Sequence, residues 1–218
     1  MADLSLFLTV LAGLSRGVGV TVLVAVSSLA IGVSIGFALA LLRQFARSRI
    51  LEAMIGAYVE FFRNIPALTH LFVLYFGLAS IGIRLQSVTA AILGLGLIGG
   101  SVTADIFGAS FKALPKGQAE AALAVGFSPL QTIFAILTPQ SMRIALPPLG
   151  NYAVQLLKDT SVVSAIAAPE IMFYARGMVT SSFQTTLIYV TAAALYLVLS
   201  LPLMRGVRFL EDHYARVR

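Results

Sequence analysis

Residues 18–42 run 25 positions without a charged side chain. As an α-helix at 1.5 Å per residue, such a stretch is roughly 37 Å long, enough to cross the ~30 Å hydrocarbon core of a bilayer. Arg43, Arg47 and Arg49 follow it directly. Four further apolar stretches can be read along the chain. Residues 50–78 are interrupted by Glu60, Arg63 and Pro66, and residues 88–109 hold one acid, Asp105. Residues 149–168 hold Lys158 and Asp159, and residues 185–204 are uncharged. Residues 4–13 are apolar but too short to span, and read as a lead-in helix at the outer surface. The expected fold class is all-α: a polytopic membrane protein of five transmembrane helices in one domain, residues 1–218.

Composition agrees. Hydrophobic residues make up 59% of the chain and charged residues 11%, with a mean hydropathy of +0.94. A soluble domain carries about 25% charged residues, so this chain cannot cover a water-facing surface. The glycines and other small residues at Gly32, Ser34, Gly36, Ala38 and Ala40, and at Gly94, Gly96, Gly99 and Gly100, predict close approach of the first and third spans to other helices.

The net charge of +6 would suggest a nucleic acid partner in a soluble protein, but the cations fall between apolar runs, where orientation is encoded. With the N-terminus outside, the inner segments hold ten: Arg43, Arg47, Arg49, Lys112, Lys116, Arg143, Arg205, Arg208, Arg216 and Arg218. The outer segments hold three: Arg16, Arg84 and Arg176. The positive-inside rule therefore predicts an outer N-terminus, with the 112–148 loop and the C-terminus cytoplasmic. The first fifteen residues hold Asp3 and no cation, so no basic leader region is expected to be cleaved from them. Cysteine is absent, which excludes disulfides and thiol chemistry. An embedded enzyme would need converging acid, base or metal-ligating groups, and His70 and His213 stand far apart in the chain.

The 112–148 loop is a polar island with explicit helix punctuation. A first helix is expected over about residues 119–125, stopped by Gly126 in the left-handed conformation that glycine takes without a Cβ penalty. A second is expected to start at Ser128, with Pro129 at its first position and Gln131 completing a Ser-x-x-Gln capping box. Pro139 is expected to bend or end that helix, and Pro147-Pro148 to close the segment before the fourth span. Glu120-Ala121-Ala122 gives a face of small side chains with one carboxylate, suited to a groove on another protein.

The spacing Glu120-Ala121-Ala122, three residues, Gly126, nine residues, then Ile136-x-x-Pro139 resembles the EAA loop of membrane subunits of bacterial ABC importers. Tyr58-Val59-Glu60-Phe61-Phe62-Arg63-Asn64-Ile65-Pro66 resembles the Y-x-E-x-F-R-x-x-P segment of permeases for polar amino acids, the histidine, glutamine, arginine and opine group. Leu157-Lys158-Asp159-Thr160-Ser161 with Pro169-Glu170 resembles that group's L-K-D-T-S and P-E-L pattern. The likeness runs over about residues 14–212. Thr138 departs from the usual Leu, Asp105 and Gly108 from the usual Glu and Arg, and His70 from the usual Gln.

The resemblance implies a type I ABC importer permease fold (MetI-like) in a bacterial cytoplasmic membrane. It also implies partners: an ABC ATPase, a second permease subunit, the same or homologous, and a periplasmic or lipid-anchored amino-acid-binding protein. The ATPase would dock on Lys116, Gly117, Glu120, Ala121, Ala122, Gly126 and Pro139. The chain has no Gly-x-x-x-x-Gly-Lys-Ser/Thr motif, so ATP is expected on the partner and no cofactor here. The expected function is passage of a polar amino acid, the alternatives being another small solute or an ion-driven secondary transporter.

Charged groups inside spans need a partner or a wet cavity, since each costs on the order of 3 kcal/mol at the bilayer centre on insertion scales. Glu60 and Arg63, three apart on a helix, either pair with each other or face the solute path. Asp159 with Thr160 and Ser161 offers one anion and two hydroxyls, suited either to a substrate ammonium group or to helix packing. His70 reads as a packed interior histidine or as a group shaping the path.

Overall fold

The structure is a computed structural model, and it describes residues 2–45 and 48–215. Arg47, Arg216 and Arg218, counted above among the inner cations, lie outside the described residues, as does the side chain of His213. The described residues form α1 (Ala2–Ser15), α2 (Val18–Phe45), α3 (Arg49–Asn64), α4 (Ala67–Phe72), α5 (Leu78–Ser80) and α6 (Ser87–Lys112). Then come α7 (Lys116–Ala124), α8 (Pro129–Gln131), α9 (Thr138–Asp159), α10 (Ile171–Ser182) and α11 (Thr185–Ala215). π-helical turns join α4 to α5 (Val73–Gly77) and α8 to α9 (Thr132–Leu137), and a 3-10 helix covers Thr160–Ile166. No strand occurs among the described residues.

Three stretches are long and apolar enough to cross a membrane: Leu4–Gln44, Ser87–Lys112 and Thr185–Asp212. Two bent pairs bring the number to five if each is one span: Arg49–Asn64 with Ala67–Ser80, and Pro129–Ile166 with Ile171–Ser182.

The centre of the fold is the α2–α6 pair, and glycine makes it possible. A Cβ on Gly32 would lie 2.9 Å from the Gly99 carbonyl carbon, and one on Gly36 would lie 2.5 Å from the Ala104 nitrogen. The bare backbones therefore touch, the arrangement by which helices associate in lipid, where apolar burial from water gives no drive. Hydroxyls add to the seam: Thr103 Oγ1 donates to the Gly32 carbonyl at 2.6 Å and Ser28 Oγ to that of Ile92 at 3.2 Å. Around this pair Val24, Leu71, Leu95, Leu156 and Val163 form one core, drawn from α2, α4, α6, α9 and the 3-10 segment. A second core joins α1, α10 and α11 through Val10, Leu14, Ile171, Ala175 and Ile188. The lead-in helix α1 is thus packed against the end of the chain.

Three expectations are corrected. The second apolar stretch, read as one interrupted transmembrane helix, is instead an elbow of 101° between α3 and α4–α5. Ile65 is forced extended (φ −104°, ψ 134°), as the residue before a proline is, and the helix stops. Pro139, expected to bend or end its helix, does not end it. It sits in the first turn of α9, after the π turn Thr132–Leu137 has displaced the regular hydrogen-bond register. Pro147 and Pro148 likewise lie inside α9, which starts well before residue 149. Each proline removes its own N–H and crowds the carbonyl one turn back, and the tightly packed Ala145 and Leu149 beside the pair hold the helix on α6 against that cost.

Candidate coupling surface and solute path

The polar island folds as a helical hairpin. Helix α7 ends at Gly126, whose φ is +91°, and the termination is a Schellman motif. Phe127 N donates to the Ala122 carbonyl at 3.1 Å and Gly126 N to that of Leu123 at 3.1 Å. The helix begins at Lys116 and stops at Ala124, slightly earlier at both ends than expected. The capping box is complete: Gln131 N donates to Ser128 Oγ at 3.3 Å, and Ser128 N to Gln131 Oε1 at 2.9 Å. Gln140 Nε2 ties the two arms, donating to Gln118 Oε1 at 3.3 Å and to the Ile136 carbonyl at 2.8 Å. Ala122 and Ile133 are buried between the arms.

What the hairpin leaves outside is apolar. Leu123, Val125, Leu130 and Phe134 are 50%, 75%, 58% and 50% exposed. Lys116, Gly117, Glu120 and Ala121 are exposed beside them, as are Gly126 and Pro139. A Cβ on Gly117 or Gly126 would meet nothing within 4 Å. A ridge of this kind, apolar with one acid and one base, has the composition of a surface to be covered.

The charged residues of the apolar stretches are arranged differently from the expectation. Arg63 pairs with Asp105 on α6, not with Glu60, and Arg43 at the end of α2 approaches the same carboxylate at 3.9 Å. One aspartate thus ties α2, α3 and α6. Glu60 is exposed and makes no ion pair among the described residues. The reason is direction: α3 lies against α6, with Ile55 and Val59 on Ala104, so Asp105 comes within reach of the helix end that carries Arg63.

Asp159 is half-buried at the end of α9, where Gln155 Nε2 donates to its Oδ1 at 2.8 Å. Ser161 is half-buried too, but Thr160 is fully buried and its hydroxyl donates back to the Leu157 carbonyl at 2.7 Å. The anion and two hydroxyls are therefore not presented together. His70 is 6% exposed and lies against Phe61 and Phe62, with ring centroids 5.2 Å and 4.9 Å away. Its Nε2 has no hydrogen-bond partner among the described residues. It fills the inside of the elbow.

Residues 32–216 match the family of binding-protein-dependent transport system inner membrane components. The chain belongs to this family. As an inner membrane component it is a multi-pass transport protein, and the resemblance read from the EAA loop is borne out. It is similar to a probable glutamine ABC transporter permease protein of Bacillus subtilis, 37% identical over 88% of each chain. A second probable glutamine permease of that organism is 35% identical over 92% of this chain and 93% of its own. Among solved structures, an amino acid ABC transporter crystallised with histidines superposes with a TM-score of 0.85 at 25% identity, covering 93% of this chain and 94% of that one. The type I importer permease fold is the fold of this inner membrane component.

Two features of this inner membrane component escaped the sequence reading. The Arg43–Asp105–Arg63 cluster joins residues far apart in the chain, and only the lone acid inside an apolar run hinted at it. The other is the role of Glu170, noted above only as part of a motif: it is fully buried, and its carboxylate accepts from Phe173 N at 2.7 Å and from the Tyr196 hydroxyl at 2.5 Å. It caps α10 and ties it to α11, while Gly17 lies so close that a Cβ there would be 2.4 Å from the Glu170 carbonyl carbon.

Proposed function

We propose that this chain is the membrane-spanning permease subunit of an ABC importer that carries a polar amino acid inward, driven by a separate ATPase. The observation that carries the reading is the Gly126-capped hairpin with its exposed apolar ridge, in a chain two of whose relatives are named as probable glutamine permeases. The ATPase docks on the exposed Lys116, Gly117, Glu120, Ala121, Gly126 and Pro139; Ala122, expected among the docking residues, is buried between the arms and serves to hold the hairpin together. A second membrane subunit closes the path, and a binding protein delivers the solute on the outer side. The N-terminus lies outside, and the C-terminus and hairpin lie in the cytoplasm, in line with the cation distribution.

Closure of the ATPase dimer on ATP moves the hairpins and turns the path outward, which requires the hairpin to bind the two ATPase states with different affinity. Along the path, Asp159 and Ser161 face the solute while Thr160 holds the turn behind them. Glu60 and Arg63 line the approach at the elbow, and His70 sets its angle. Asp159 is the residue to test, because an ionised carboxylate in a span is stable only with water, a donor or a solute beside it. Asp159→Asn keeps volume and removes charge, so amino acid uptake by the reconstituted assembly should fall about tenfold or more while basal ATPase activity is retained. Unchanged uptake would reduce Asp159 to a partner for Gln155.

A further inference from the structure

A cleft of about 500 Å³ lies between the 3-10 segment Thr160–Ile166 and α10. That is within the roughly 300–1,000 Å³ usual for small-molecule sites. Arg176 is the one charged residue in its lining and makes no ion pair among the described residues. Phe173 and Tyr174 form an aromatic wall, their rings edge to face at 5.6 Å. Gly177 leaves part of the surface bare: a Cβ there would meet nothing within 4 Å.

Three of the four lining hydroxyls, those of Ser164, Thr180 and Ser181, have their protons committed. Ser164 Oγ donates to the Ser161 carbonyl, Thr180 Oγ1 to that of Arg176, and Ser181 Oγ to that of Met178. What they retain for a ligand is acceptor lone pairs. Arg176 offers the reverse, donors only, in a planar fork that fits a carboxylate. The lining therefore holds one cationic donor group, several neutral acceptors and an aromatic wall, which complements an ammonium–carboxylate zwitterion with a side chain. The cleft also lies at the α6 start, since Ser87 Oγ donates to the Ala167 carbonyl on its rim at 3.3 Å. The coupling hairpin follows the other end of α6.

We propose that this cleft is an acceptor site for a free amino acid on the side of the membrane opposite the hairpin. Arg176 takes the α-carboxylate, the hydroxyl oxygens accept from the ammonium group, and Phe173 with Tyr174 flanks the side chain. The inference rests on the amino acid importer reading and adds to it a place where solute pauses before entering the path at Asp159.

The test uses the whole assembly, with ATPase and second membrane subunit. Reconstituted wild type is first assayed for ATP-driven uptake of labelled L-glutamine, L-arginine and L-histidine with the binding protein present. Binding of the imported amino acid, and of its α-carboxamide, is then measured by equilibrium dialysis without binding protein. Arg176→Gln should weaken amino acid binding about tenfold or more and leave carboxamide binding unchanged, with Arg176→Lys falling between. Gly177→Leu, which fills the cleft without altering charge, should weaken both ligands. Uptake of none of the three by wild type would overturn the importer reading itself. Normal uptake with amino acid binding unaltered in both Arg176→Gln and Gly177→Leu would overturn the cleft alone. So would an Arg176→Gln defect confined to stimulation of ATPase by the binding protein, which would make the residue a protein contact.

Discussion

At the scale of single residues, one of the tightest constraints on a glycine is at Gly36. Even a methyl group there would fall 2.0 Å from Thr103 Oγ1 and 2.5 Å from the Ala104 backbone nitrogen. Backbone cannot swing aside as a side chain can, so α2 and α6 would have to part. Gly36→Ala should destabilise the protein by about 1–3 kcal/mol, the range for overpacked sites. Gly19→Ala, on the same helix with open space around it, should be neutral or mildly stabilising. Thermal unfolding of both variants in detergent checks the contrast, and equal midpoints would contradict it. Gly126 poses a different constraint, because its Cβ direction is open and only φ is demanding. Gly126→Asn should therefore be tolerated better than Gly126→Val, since Asn enters the left-handed region far more readily than a β-branched residue. ATP-driven uptake by the two variants decides it.

At the scale of elements, the features legible in the sequence are those set by neighbours in the chain. Gly126 and the Ser128–Gln131 box were readable because capping is a contest over the few orphan N–H and C=O groups at a helix end. The small-residue seam was readable as a tendency to close approach, though not as the pairing of Gly32 with Gly99. The misread elements depend on what lies across the fold. Nothing local says that Arg63 will find Asp105 before Glu60, or that a π turn will carry the α8–α9 helix through Pro139. Thr160 could not be known to turn its hydroxyl back on Leu157 until the 3-10 turn was seen. The ion cluster can be measured at this scale. A double-mutant cycle of Arg63→Gln and Asp105→Asn should give a coupling of about 1 kcal/mol, modest because both side chains are partly exposed. A cycle of Arg63→Gln and Glu60→Gln should give none.

At the scale of the whole molecule, the fold separates two ends joined by α6: one holding the Arg176 cleft, the other the hairpin. Reporters fused after Gly177 should read as external and those after Lys116 as cytoplasmic, as the cation bias requires. A cytoplasmic signal at Gly177 would leave the Pro129–Ile166 and Ile171–Ser182 pair without its crossing. The central claim, however, is that this permease draws its energy through the hairpin from an ATPase held in trans. The most direct measurement is co-purification of the ATPase subunit with the membrane-embedded chain, wild type against Glu120→Lys combined with Val125→Asp on the exposed ridge. Both positions are exposed, so the substitutions leave the core intact. The account predicts a stoichiometric ATPase with wild type, and its loss from a variant that still reaches the membrane at wild-type level. Equal ATPase retention by the two, or none by wild type, would contradict it.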